Sequence, residues 1–137
     1  MRGIVISESL VIRKGVAEIL SNEECIDFLD EEYMCKDIHN GDYDLVIFGI
    51  NKNTKQYIDY IREVKEHSNA KVMVLDFYED TRLFSKCMKL GIDSYILANI
   101  DGEGIKYAVR LLSKGRKYFD SDLVENYMKK ELYFQIS

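Results

Sequence analysis

No residue of this chain is proline, and nothing in the sequence accounts for that absence. Other shortages are more informative. Cysteine occurs only three times, as Cys25, Cys35 and Cys87, an odd number without a CxxC pair, which excludes a disulfide framework and a zinc cluster. Packing of reduced thiols is the expectation. Histidine occurs twice, as His39 and His67, each in a polar context with no serine or cysteine arranged beside it as a nucleophile. No run approaches the roughly 18 apolar residues of a membrane span, and the N-terminus enters a strand pattern directly instead of a signal peptide. A cytoplasmic protein is expected. Positive charge is also short: the formal net charge of −5 excludes a whole-surface grip on nucleic acid or an anionic membrane.

What the chain does have is one domain's worth of apolar sequence, 137 residues at 47% hydrophobic. Short runs rich in Val and Ile alternate with amphipathic stretches, the pattern of β-α units closing into a covered parallel sheet. Five strands are expected, at Gly3 to Ser7, Cys25 to Leu29, Leu45 to Gly49, Lys71 to Asp76 and Ser94 to Leu97, in the order βαβαβαβαβα. Helices are expected over Val11 to Leu20, with Ile12, Val16, Ile19 and Leu20 inward, and over Thr54 to Glu66, with Ile58, Ile61 and Val64 inward. Asp80 can cap a helix that Gly91 ends, and Ile105, Ala108, Val109 and Leu112 form the inward stripe of another that Gly115 ends. A further short helix is expected after a cap at Asp120 or Ser121, reading as a linker outside the core. The closing "ELYFQIS" partly resembles a protease-cleavage tag and is set aside in the fold reading.

With the strands placed, the chain resembles a response-regulator receiver domain, CheY-like and doubly wound, and more narrowly the NarL/FixJ subfamily. The resemblance is carried by "IVISESLVIRKGVAEIL", "DYDLVIFGI", "KVMVLDFYED" and "KLGIDSYILANID", followed by "LLSKGRKYFDSDLVENYM", and covers roughly residues 2 to 119. It implies a flavodoxin-like sheet of strand order 2-1-3-4-5 with helices on both faces. It also implies a receiver-like domain over 1–119 and a linker helix and tail over 120–137, which would lead to a helix-turn-helix DNA-binding domain. The implied role is two-component signal transduction and transcription regulation, not enzymatic turnover.

In that family an acidic pair after the first strand and an aspartate ending the third hold magnesium, and that aspartate accepts a phosphoryl group. A hydroxyl ending the fourth strand and a lysine ending the fifth grip the phosphoryl oxygens. Carried over by position, the acidic pair falls on Ser7 and Glu8, the phosphoacceptor on Gly49, the hydroxyl on Asp76 and the lysine on Ala98. Glycine has no side chain to attack with, and no aspartate lies among Ile47 to Lys52, while Asp44 belongs at the strand's other end. The implied pocket is degenerate, without phosphoacceptor, resident metal or cofactor. Glu8 and Asp76 could still converge at its rim, as cation ligands or, the blander reading, as solvated or paired acids near Lys52.

Tyr95 falls where receivers carry an aromatic residue whose rotamer reports activation, and with Asp76 in place of the hydroxyl it is expected only to pack. Lys106, Arg110 and Lys114 recur every four residues, as a solvated helix face or a partner face answered by the acids of "SNEE" and "DEE" on a second subunit. "SESL" after the first strand is no dinucleotide fingerprint, and "DGEG" reads as a turn and helix start. Two functions from different classes stand. One is a phosphorylation-independent receiver acting by homodimerisation or partner binding. The other is a small-molecule or flavin-binding flavodoxin-like domain with its ligand near Ser9, Asn51 and Phe77. An acid/base enzyme built on Glu8 and Asp76 has no nucleophile or oxyanion site to support it.

Overall fold

A computed structural model describes residues 1–34, 42–52, 54–78, 81–97 and 101–136. The elements run β1 (Arg2–Ile6), α1 (Leu10–Leu20), β2 (Phe28–Glu32), β3 (Leu45–Ile50), α2 (Thr54–His67), β4 (Lys71–Asp76), α3 (Thr81–Lys89), β5 (Ser94–Leu97), α4 (Gly102–Ser113), β6 (Tyr118–Phe119) and α5 (Ser121–Ile136). The strands form one sheet in the order β2-β1-β3-β4-β5-β6, and every pairing is parallel. The expected doubly wound sheet is therefore present, with one strand more than the five read from the sequence. The addition is β6, whose two residues pair with β5 as Ser94↔Tyr118 and Tyr95↔Phe119. Two residues are too few to leave a periodic signal.

The second strand needs a larger correction. It was expected at Cys25 to Leu29 and lies at Phe28–Glu32. Cys25 to Asp27 instead form the turn into it, where the Ile26 N–H donates to Glu23 O and the Asp27 N–H donates to Met1 O. As an edge strand it buries only partly, Leu29 and Glu31 alternating with exposed neighbours, so its apolar signature is faint. Residues 35–41, in the interval where the expected order places the next helix, lie outside the described residues, as do Asp80 and Ala98; Cys35 and His39 fall within that interval.

Strand alternation divides the core in two. Ile4, Ile6, Val46, Phe48, Val72 and Val74 face α2 and α3, where they meet Ile58, Ile61, Val64, Leu83, Phe84 and Cys87. Val5, Leu45, Ile47, Met73, Leu75 and Ile96 face α1 and α4, against Val16, Leu20, Ile105, Ala108, Val109 and Leu112. The inward stripes of both α1 and α4 were legible in the sequence. Cys87 is fully buried, and burial, with the nearby Asp76 carboxylate, pushes its thiol up to about 12, so it packs as an apolar group. Gly91 and Gly115 follow α3 and α4 with φ of 74° and 76°, the left-handed conformation that ends a helix at low cost only for glycine.

The segment after Gly115, read as a linker outside the core, is more involved than that. Leu123, Val124 and Tyr127 of α5 pack against the α2/α3 side of the core. Met128 and Leu132 on the same helix remain exposed.

Candidate functional site

Ser7, Glu8, Gly49 and Asp76 lie at the C-terminal edge of the sheet, where ligands bind in open α/β folds. Parallel register brings them together: Ile6 is opposite Phe48, Gly49 opposite Leu75, Ile50 opposite Asp76 and Asp76 opposite Leu97. Ser7 thus follows β1 beside Gly49. Ala98 follows β5 outside the described residues. Asp44 is at the far end of β3, where its carboxylate accepts from the Arg2 N–H at 2.8 Å; that bond and the Arg2 guanidinium hold it below its ordinary range.

The β1/β3 half of this edge is filled. Ser9 caps α1, its hydroxyl accepting from the Ile12 N–H at 3.2 Å, and its own N–H donates to the Ser7 hydroxyl at 3.2 Å. This cap fixes where the first turn begins, and the turn carries Ile12 over β3. A Cβ built on Gly49 would lie 2.5 Å from Ile12 Cγ2 and 3.4 Å from Ser7 Cβ and Oγ. The methyl of Ile12 therefore occupies the space in which a side chain at the phosphoacceptor position would start. Arg13 crosses the same turn, donating to Ser7 O at 2.6 Å, with its guanidinium 5.9 Å from the Tyr33 ring centroid.

Ser7 is fully buried and spoken for. Tyr57, also fully buried, accepts from the Glu8 N–H at 2.9 Å and is hydrogen-bonded to the Ser7 side chain. Burial raises the Tyr57 phenol above its ordinary value, the bonds from Glu8 and Ser7 offsetting part of the rise. Ile12, Arg13 and Tyr57 were not recognised as site residues in the sequence. The signal for Ile12 was its place on the inward stripe three residues after a capping serine, paired with a glycine on the strand beneath.

The β4/β5 half remains polar. Asp76 is buried at 1% exposure, its Oδ1 accepting from the Tyr78 N–H at 2.8 Å and its Oδ2 from the Tyr95 hydroxyl at 2.5 Å. Tyr95 is fully buried. It does more than pack, contrary to the expectation, because a carboxylate accepts a phenol proton as well as a serine or threonine hydroxyl does. Asp76 is accordingly a core group and not a rim ligand.

Magnesium needs several hard oxygen ligands held in near-octahedral geometry. Ser7 stands in place of one carboxylate, Gly49 in place of another, and the oxygens of Asp76 are directed to Tyr95 and Tyr78; among the described residues no three His, Cys, Asp or Glu gather. The residues present do not fit that metal. At the positions considered for a flavin-type ligand, Ser9 serves as the helix cap, Asn51 keeps a buried Oδ1 with no hydrogen-bond partner among the described residues, and Phe77 is 39% exposed.

Two members of the basic stripe, Arg110 and Lys106, are engaged within their own chain. Arg110 grips Glu23 of "SNEE" through two bonds, Nη2 to Oε1 at 2.6 Å and Nε to Oε2 at 3.0 Å, and Lys106 lies 3.3 Å from Glu103. The bond from Arg110 holds the Glu23 carboxyl below its ordinary value. Of the "DEE" acids, Glu31 pairs with Lys14 at 3.2 Å and Asp30 accepts from the Tyr43 hydroxyl at 2.7 Å. Three of the five acids expected to answer a second subunit, Glu23, Asp30 and Glu31, are thus occupied in cis, while the Lys114 backbone N–H caps the C-terminal end of α4.

Comparison with known proteins bears on the fold. No family model matches the chain. It is 22% identical over 131 residues to the transcriptional regulatory protein DegU of Brevibacillus brevis, an alignment covering 92% of this chain and 56% of that protein. It is 27% identical over 141 residues to the response regulator VraR of Staphylococcus epidermidis, covering 95% and 67%. The chain thus spans a little over half to two thirds of the curated relatives it matches. Among solved structures it superposes on the isolated receiver domain of RcsB from Salmonella enterica serovar Typhimurium with a TM-score of 0.78 at 17% identity, covering 94% of this chain and 99% of that one. A structure of two RcsB dimers bound to two parallel DNAs matches with a TM-score of 0.75 at 18% identity, covering 95% and 68%. The resemblance to response-regulator receiver domains of the NarL/FixJ kind is borne out in sequence and in fold.

Proposed function

We propose that this chain is an atypical receiver domain that signals without accepting a phosphoryl group, through dimerisation or partner binding. The observation that supports it most is at Gly49: the acceptor position has no side chain, and Ile12 Cγ2 stands 2.5 Å from where its Cβ would be. Phosphoryl transfer to a receiver needs a carboxylate nucleophile and a metal that neutralises the incoming charge. Neither has a place between Ser7 and Ile12. Asp76, in place of the hydroxyl that grips phosphoryl oxygens in the family, directs its own oxygens to Tyr95 and Tyr78.

A switch needs only two conformations with different affinity for some effector, so loss of phosphorylation leaves regulation by a ligand, a partner or abundance open to this fold. The whole protein, on this reading, works in the cytoplasm as a transcription regulator whose DNA-binding domain lies beyond residue 137, in keeping with the share of the DegU and VraR relatives that the chain spans. The dimers in the RcsB complex with DNA support homodimerisation as its mode of output. No helix among the described residues is long and apolar enough to cross a membrane.

The α1/α4 side is the proposed partner face, with Lys106, Arg110 and Lys114 along it. Pairing there exchanges the internal Arg110–Glu23 bridge for one between subunits, which changes partner choice more than affinity. Sedimentation across concentration tests the proposal: a self-association constant unchanged by acetyl phosphate and magnesium is expected, and a change with either reagent refutes it.

A further inference from the structure

The hydrogen bond between Asp76 and Tyr95 lies at one end of a chain of aromatic contacts that reaches the C-terminal helix. The Tyr95 ring meets Phe84 of α3 edge-on, with centroids 4.9 Å apart and planes at 81°. Phe84 in turn meets Phe119 of β6 at 6.5 Å and Tyr127 of α5 at 5.9 Å, both edge-on. Phe84 is 3% exposed, so this single ring joins the buried polar pair to both elements that follow Gly115. Edge-to-face pairs depend on ring orientation, and a shift of one ring alters the next contact.

Among the described residues, the core contacts of α5 come from its first half. Asp120 caps it, accepting from the N–H groups of Asp122 and Leu123 at 3.0 and 3.2 Å, and Leu123, Val124 and Tyr127 supply its core contacts. One turn further on, Met128 and Leu132 are 64% and 57% exposed. A peripheral helix that leaves Met128 and Leu132 exposed opens locally at a lower free energy than the buried sheet does.

We infer that the Asp76–Tyr95 bond is a latch on α5: it orients the Tyr95 ring, the ring positions Phe84, and Phe84 provides the surface on which Tyr127 docks. Breaking the bond frees the Tyr95 ring to turn, loosens the Phe84 contact and lets α5 and β6 leave the body of the domain together. This goes beyond phosphate independence, since it concerns what holds the C-terminal helix, whatever the input. Tyr95 and Asp76 are positioning residues here.

Hydrogen exchange of the full chain, followed segment by segment by mass spectrometry, tests it. Tyr95→Phe keeps the ring and removes the hydroxyl. The expected result is exchange over Ser121 to Leu132 accelerated about tenfold more than that of β1, β3 and β4. Asp76→Ala should speed α5 likewise, with a further effect at the turn where Asp76 also accepts from the Tyr78 N–H, and adding Tyr95→Phe to it should speed α5 no further. Unchanged exchange over α5 in Tyr95→Phe, a uniform rise across the whole chain, or independent additive effects of the two substitutions each overturn the latch.

Discussion

The two halves of the sheet's C-terminal edge have departed from the receiver pattern in opposite ways. At β1/β3 the chemistry has been removed and the space closed: Gly49 contributes no side chain, Ile12 fills the gap, and Ser7 is consumed by bonds to Ser9 and Tyr57. At β4/β5 a polar group has been exchanged for another, and Asp76 still engages the switch aromatic Tyr95. The first half resembles core and the second a wired contact. On the proposed reading, losing the phosphoacceptor need not mean losing the connection from the pocket to the rest of the fold.

Substitutions can test that contrast, beginning with the largest effect. Gly49→Asp restores the family's residue but drives a carboxylate into the Ile12 side chain, so overpacking and charge burial together should cost about 4 kcal/mol in urea denaturation. Adding Ile12→Ala should recover part of that loss by opening the space. If Gly49→Asp alone is tolerated without loss, the β1/β3 half is not closed.

Phe84→Ala removes the hub of the aromatic chain and should cost about 3–4 kcal/mol, read from the shift in denaturation midpoint at unchanged slope. Tyr95→Phe is milder. It deprives a buried carboxylate oxygen of its phenol donor and should cost about 1–2 kcal/mol, whereas a neutral result would mean that the β4/β5 contact is only packing.

The smallest effect is expected at the Arg110–Glu23 bridge, which lies away from both halves and is solvent-screened. Glu23 titrates below its ordinary value of 4.5 because Arg110 bonds to its ionised form. The unfolded chain therefore binds the proton more readily, and the bridge stabilises the fold above about pH 4.5 and ceases to do so as the pH falls through the lower folded value. Arg110→Ala should reduce stability at neutral pH and make the acid limb of the stability profile shallower, with the two chains converging in acid. Identical profiles would remove the bridge from the account.

Much of this was legible because parallel sheets bury long apolar runs. The fourth and fifth strands, Lys71–Asp76 and Ser94–Leu97, lie where their Val and Ile content placed them. The second strand did not announce itself, since an edge strand that reads "FLDEE" has little apolar sequence to show. At the site, position alone identified Gly49 and Asp76. What position could not show was which neighbour fills a glycine's missing side chain, or that an acid in place of a hydroxyl would bond Tyr95; both depend on how α1 and β5 meet the strand ends. The basic stripe on α4 was visible as periodicity, but its partner Glu23 is 87 residues away in sequence, beyond the reach of local pattern.

The central claim is that the acceptor position is closed, and intact mass after incubation with acetyl phosphate and magnesium tests it most directly. The account predicts an unchanged mass. An acid-labile adduct of one phosphoryl group, on any residue at this edge of the sheet, would contradict it.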